Sequence, residues 1–254
     1  VEDGIKERSM AYKKLLDGFS LFKKDYFHSK KGEAYQKLVA EGQKPETLVI
    51  ACSDSRIDPA ILTYSDPGEF FAVRNVAALV PPYNNGGLLR GTSSAIEYAV
   101  RFLQVKHIVI LGHAGCGGIG ALATGNFQVT EYHNFEFLHH WLGIASEAKE
   151  QVFSVLSFAG EKQRTKALEQ ASILVSLENL RSFPWIKDKY ERQELQIHGW
   201  YFDMKEGQLL EYNVEKGLFE DIRQDQAKKM SSLPSAYDLS RFLKKYAQTC
   251  ACSQ

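Results

Sequence analysis

Two short stretches carry residue types that could do chemistry. "CSDSR" (52–56) places Cys52 just ahead of Asp54 and Arg56, and "GHAGCGG" (112–118) places His113 and Cys116 in a glycine-rich turn. Two thiolates and one imidazole make a Zn²⁺ ligand set. Three protein ligands leave the fourth tetrahedral position to water, which marks a catalytic rather than a structural site. A cysteine that ends an apolar run is more often a small buried hydrophobe, and a lone His-x-x-Cys says little. The weight comes from the combination, with glycines allowing close backbone approach. No CxxC pair is present, which argues against a zinc ribbon or finger. A carboxylate beside zinc could displace the water and close the site. Arg56 can hold Asp54 away through a bidentate ion pair. Without Cys52 nearby, the same Asp–Arg pair would read as the brace of a turn. Cys250 and Cys252 lie in a polar tail and read as solvent thiols.

These residues need elements that deliver them to one place. "TLVIAC" (47–52) and "HIVILG" (107–112) are short β-branched runs that read as strands buried on both faces. "EFFAVR" (69–74) is a third strand after the turn signal "SDPG". Between them, Thr92–Val105 reads as a helix with Ile96, Ala99, Val100 and Leu103 on one face. Ser94 and Glu97 in that helix have capping-box spacing. Strand–helix alternation predicts a mostly parallel α/β sheet flanked by helices. In such a sheet, ligands bind beyond the carboxyl ends of the strands, where Cys52 and the 112–118 turn both lie. "ELQIHGWYFD" and "QLLEYN" flank "MKEG" and predict a hairpin, an antiparallel addition to the sheet. The chain from about His133 to Leu180 reads as helical, and 234–248 as a last amphipathic helix. One domain is expected over 1–254, with a helical N-terminal arm (1–44), an α/β core (45–213) and a helical C-terminal extension (214–254). The arm, with Leu15, Leu16, Phe19 and Phe22, is too apolar to float free and is expected to pack on a partner subunit.

"CSDSR" followed by "GHAGCGG" closely resembles the β-class carbonic anhydrases. "PGEFFAVRNVAALVPPY" (67–83), "GTSSAIEYAV" (91–100) and "HGWYFDMKEGQL" (198–209) look like segments of that family in the right order. The resemblance covers roughly residues 13 to 213. It implies one Zn²⁺ per chain on Cys52, His113 and Cys116, with Asp54 and Arg56 as the catalytic pair beside the metal. The reaction it implies is reversible hydration of CO₂ to bicarbonate by attack of zinc-bound hydroxide. Phe71, Val76 and Tyr98 match pocket-lining positions, and the Gly117 amide could donate to a substrate oxygen. Gln43 matches a glutamine offered to the substrate from a neighbouring subunit. Self-association as a dimer or a higher oligomer is therefore expected. Members regulated by bicarbonate carry Trp three residues before the first Cys. Val49 stands there, and "VPPY" and Gln43 fit the plant-like type, so hyperbolic kinetics are expected. Zn²⁺ with two thiolates and a neutral imidazole is formally uncharged. The water pKa of about 7 known for three-histidine carbonic anhydrases therefore does not transfer, and activity should rise through mildly alkaline pH. His28, His107, His133, His139, His140 and His198 are all available as proton carriers, and the sequence selects none.

Composition narrows the remaining classes. Acidic and basic residues balance at 31 each in 254 residues, so no charge excess suggests nucleic acid or an anionic membrane. No apolar stretch reaches the roughly 20 residues that span a bilayer, and the polar N-terminus lacks a signal-peptide core. The chain begins with Val1, so a processed start stays open. Four cysteines are too few for a disulfide scaffold and fit a reducing compartment, with the cytoplasm expected. Rival readings are a hydrolase of carbon disulfide or carbonyl sulfide, a silent zinc-stabilised scaffold, and a nucleic-acid-binding zinc module. The intact Asp54–Arg56 pair disfavours the scaffold, and zero net charge disfavours the nucleic-acid module.

Overall fold

The computed structural model describes residues 2–84, 90–125, 135–222 and 237–251. They fall into two compact units, 1–44 and 45–254. The first holds α1 (Glu2–Phe27) and α2 (Lys30–Glu41). Phe22 sits at the centre of an aromatic cluster with Tyr26, Phe27 and Tyr35, at ring-centroid distances of 4.7, 6.2 and 5.6 Å. This cluster closes the two helices on each other.

The second unit is built on a six-stranded sheet in the order β2-β1-β3-β4-β5-β6. The strands are β1 (Thr47–Cys52), β2 (Phe70–Asn75), β3 (His107–His113), β4 (Gln196–Asp203), β5 (Gln208–Asn213) and β6 (Leu218–Asp221). β2, β1, β3 and β4 run parallel, and β5 and β6 are added antiparallel. The predicted strands and hairpin are therefore present, and β6 adds an edge strand that the sequence reading did not include. β1 and β3 are buried along nearly their whole length, as their continuous apolar runs require.

The helices of this unit are α3 (Pro59–Thr63), α4 (Gly91–Glu97), α5 (Gly117–Thr124), α6 (Glu136–Leu142), α7 (Ser146–Val155), α8 (Glu161–Arg181), α9 (Pro184–Glu191) and α10 (Leu239–Ala251). The larger core lies on one sheet face, where Leu48, Ile50, Ile108 and Ile110 meet Ile96, Leu168, Leu177 and Phe242. A smaller cluster of Val49, Ala51, Ile57, Val109 and Leu111 lies on the other face. α8 sits unusually close to the sheet at two glycines. A Cβ on Gly112 would come within 2.7 Å of Ile173, and one on Gly199 within 2.8 Å of Leu177. Among the described residues, no helix is long and apolar enough to cross a membrane.

The helix expected over 92–105 is corrected in two ways. Its N-cap is Arg90, not Ser94: the Ser94 amide already donates to Arg90 O at 2.9 Å, which places Ser94 inside the first turn. After Glu97 the chain widens into a π-helical turn over Tyr98–Phe102, where Leu103 N–H donates to Tyr98 O at 3.0 Å. The last helix runs over 239–251 rather than 234–248, and 234–236 and His133 lie outside the described residues.

Candidate metal centre

β1 and β3 pair in parallel, so Cys52 and His113 leave the sheet at the same edge. The turn after β3 folds Cys116 back beside them. The three residues are 5%, 1% and 4% exposed, and one ligand atom from each lies within 4.8 Å of the others. The two sulfurs are 3.9 Å apart. His113 Nδ1 lies 3.0 Å from Ala114 O, an acceptor only, so Nδ1 carries the proton and Nε2 presents its lone pair. That Nε2 is fully buried and has no hydrogen-bond partner among the described residues. An unpaired buried nitrogen is costly. Beside two thiols it is what a soft, borderline cation such as Zn²⁺ requires, and the donor set fits that metal.

Electrostatics agree. The hydrogen bond with Cys116 pulls the Cys52 thiol well down against the effect of burial, with help from His113 and the Asp54 and Ala77 amides. The Cys116 thiol is pushed up by that same shared proton and by burial. Metal binding at these thiols would release their protons. Burial works to lower His113, but the Cys52 sulfur, the Ala114 carbonyl and the Asp54 carboxylate together outweigh that and raise it.

Asp54 and Arg56 form the expected fork. Arg56 Nε donates to Oδ1 at 2.9 Å and a terminal nitrogen donates to Oδ2 at 2.7 Å, while the Arg56 amide donates to Oδ1 at 3.0 Å. These bonds hold the Asp54 carboxyl well below the usual carboxylate range. Oδ2 lies 4.0 Å from His113 Nε2, facing the ligand cluster. The same Arg56 nitrogen reaches Gly115 O at 3.0 Å and ties the two ligand-bearing loops together.

Several residues that support the site lie outside the motifs of the sequence. Arg74, at the end of β2, donates to Cys52 O, Asp54 O and Ile57 O, the last two at 2.8 and 2.6 Å. Asn75 brackets the next turn, donating to Leu79 O and accepting from Leu79 N–H. Ala77 and Ala78 follow at φ 67 and 53, a left-handed conformation rare for alanine. It aims the Ala77 amide at the Cys52 sulfur. Trp141 Nε1 donates to Val76 O at 2.8 Å. Glu169, on α8, accepts from the Gly115 and Cys116 amides. One signal for Glu169 was available: it shares a helix face with Ser172, Ile173 and Ser176, an odd place for a carboxylate.

The pocket candidates divide. Phe71 and Tyr98 face each other at 5.7 Å, and Tyr98 stacks on Phe102 at 4.8 Å. Val76 closes on the metal loop, since a Cβ on Gly118 would come within 2.9 Å of it. Gly117 opens α5 directly after Cys116. Gln43 is exposed and belongs to the N-terminal unit. His107 and His198 contact each other at 3.2 Å, with His107 opening β3 at the end opposite His113. His139 and His140 lie on α6, and His28 belongs to the N-terminal unit.

The carbonic anhydrase family profile matches residues 47–209. Beta carbonic anhydrase 5, chloroplastic, of Arabidopsis thaliana is 36% identical over 217 residues, covering 85% of this chain and 66% of that protein. A carbonic anhydrase of Pseudomonas aeruginosa is 36% identical over 195 residues, covering 77% of this chain and 84% of that one. The solved structure of the beta-carbonic anhydrase CcaA superposes with a TM-score of 0.76 at 30% identity, covering 83% of this chain and 99% of that one. A tetrameric beta-carbonic anhydrase of Sordaria macrospora gives 0.62 at 29% identity, covering 82% and 96%. On profile, relatives and fold together, the chain belongs to the β-class carbonic anhydrases, the zinc-dependent carbonate dehydratases.

Proposed function

We propose that this chain catalyses the reversible hydration of CO₂ at the Cys52–His113–Cys116 centre, with Asp54 and Arg56 as the catalytic pair. The observation that carries this reading is the cluster of three buried ligand atoms within 4.8 Å, with a forked Asp54–Arg56 pair alongside. When bound there, zinc supplies Lewis acidity at an open fourth position and lowers the pKa of water.

The residues of the chain do the rest. Arg56 engages both oxygens of Asp54 and so keeps the carboxylate from becoming a fourth ligand. Asp54 Oδ2, turned toward the cluster, accepts a hydrogen bond from the attacking water and fixes the direction of its lone pair. Its depressed pKa keeps it an acceptor through the working range. Phe71, Val76 and Tyr98 offer the apolar walls that CO₂ needs. The Gly117 amide offers a donor to its oxygen, and Gln43 offers an amide from a neighbouring subunit. Self-association as a dimer or larger assembly is part of this reading. It is supported by the exposed apolar residues of α1 and by the tetrameric relative. The free thiols Cys52 and Cys116 call for a reducing compartment, for which we propose the cytoplasm. With Val49 before Cys52, kinetics should be hyperbolic in bicarbonate.

Stopped-flow CO₂ hydration, with zinc content measured in parallel, tests the reading on the wild type and Asp54→Asn. Rapid wild-type turnover with one zinc per chain is expected, falling about 100-fold or more in the variant with zinc retained. A zinc-loaded but inactive wild type at both neutral and alkaline pH would overturn it.

A further inference from the structure

Glu169 lies in the middle of α8 and is 4% exposed, with Leu168, Gln170, Ala171 and Ser172 around it also buried. A carboxylate at that depth is expensive to keep. Its oxygens are met by three donors: Gly115 N–H at 2.8 Å and Cys116 N–H at 3.2 Å on Oε1, and the Tyr201 hydroxyl at 2.7 Å on Oε2. Tyr201 is itself fully buried, on β4. The Gly115–Cys116 turn needs the left-handed conformation of Gly115 (φ 66) to direct both amides back toward α8. Arg56 holds Gly115 O from the other side. Cys116 is left as the N-cap of α5, its sulfur lying 3.9 Å from the Cys52 sulfur.

We infer that Glu169, backed by Tyr201, is a positioning residue for the metal centre: it holds the Gly115–Cys116 turn by its backbone amides so that the Cys116 sulfur stays on the ligand cluster and zinc is retained. The inference rests on the zinc reading given above. Partners of metal ligands commonly govern affinity in this way, but here the hold is on the backbone that carries the ligand. What the turn requires is an acceptor of the right shape. Glutamine keeps it, since its Oε1 can take both amides while its Nε2 donates to the Tyr201 oxygen. Leucine fills the same space with no acceptor at all.

The test uses the zinc-loaded full chain. Zinc loss to a competing chelator, the thiolate-to-metal absorption of the Co²⁺-substituted protein and thermal unfolding are compared for wild type, Glu169→Gln, Glu169→Leu and Tyr201→Phe. Glu169→Leu should lose about 10- to 100-fold in zinc affinity and shift the Co²⁺ spectrum. Glu169→Gln should stay close to wild type in both, a rescue that simple loss of packing does not explain. Tyr201→Phe, which preserves volume, should release zinc faster, and it decides the matter if Glu169→Leu does not fold. Wild-type zinc retention and Co²⁺ spectrum in Glu169→Leu, or in Tyr201→Phe where the leucine variant fails, would overturn the inference alone. So would a glutamine variant as weak as the leucine one. A wild type that takes up no zinc would overturn the zinc reading and this inference with it.

Discussion

Arg74 and Glu169 hold the two ligand-bearing loops in opposite ways. Arg74 is a cation that gathers the carbonyls of Cys52, Asp54 and Ile57, while Glu169 gathers the amides of Gly115 and Cys116. Each matches the sign of its charge to the free end of the backbone dipole. Arg74 also reaches the Asp58 carboxylate at 3.3 Å, so one guanidinium spans the whole loop that carries Asp54. A planar fork is needed for this, and lysine is a single point donor. Arg74→Lys should therefore keep its zinc while kcat/KM for CO₂ hydration falls about tenfold, through a displaced Asp54. Stopped-flow rates alongside zinc content check this, and an unchanged rate would show that the loop holds itself.

At the scale of elements, legibility followed the clarity of the local signal. β1 and β3 could be read to within a residue because buried parallel strands are continuous apolar runs bounded by polar residues. The Cys52–His113–Cys116 cluster followed from them, since parallel strands end at one edge. α4 was misplaced because "GTSS" offers several N-cap residues, and the chain used the Arg90 position instead. The π-helical turn after it, the strained Ala77 and the support from Arg74 leave no periodic trace, and Glu169 shows only as a carboxylate on a buried helix face, because each depends on contacts distant in sequence. The β4–β5 hairpin carries a support of the same kind. Asp203 ends β4, accepts from Lys166 of α8 at 3.0 Å and caps the Lys205 amide at 3.2 Å. Burial alone would raise its carboxyl, but the Lys166 ammonium and the turn amides outweigh burial and lower it. A carboxyl lowered on folding contributes stability above its unfolded pKa of about 3.9 and loses it as pH falls through the folded value. Asp203→Asn should thus cost about 1 kcal/mol at neutral pH, with Lys166 half exposed. The gap to wild type should narrow toward pH ~3. Urea unfolding of both proteins at the two pH values measures it. Both lose zinc at the acid end, so the comparison is made between variants at each pH. A gap that stays constant would show that the hydrogen-bond geometry, not the charge, is what matters.

For the whole molecule, the open question of architecture is what covers α1. Leu15 and Phe19 stand one helical turn apart and are 71% and 60% exposed, with Met10 and Leu21 exposed at 69% and 64%. Apolar residues at helical spacing normally face a neighbour. The aromatic cluster around Phe22 already secures α1 to α2, so these side chains are not needed to close that pair. A second copy of the chain is the neighbour proposed here, and it would bring Gln43 with it. The double variant Leu15→Glu, Phe19→Glu places two carboxylates on that face and leaves every residue of the sheet and the metal centre unchanged. It should fold, load zinc, and sediment as a smaller species than the wild type. Its CO₂ hydration rate should fall along with its mass if a neighbour's Gln43 serves the substrate. Analytical ultracentrifugation at several protein concentrations, paired with stopped-flow rates, separates the two effects. A wild type that sediments as a single chain throughout would remove the partner, and with it the role of Gln43. A variant that dissociates with undiminished turnover would reduce the assembly to a scaffold and make each chain's site complete in itself.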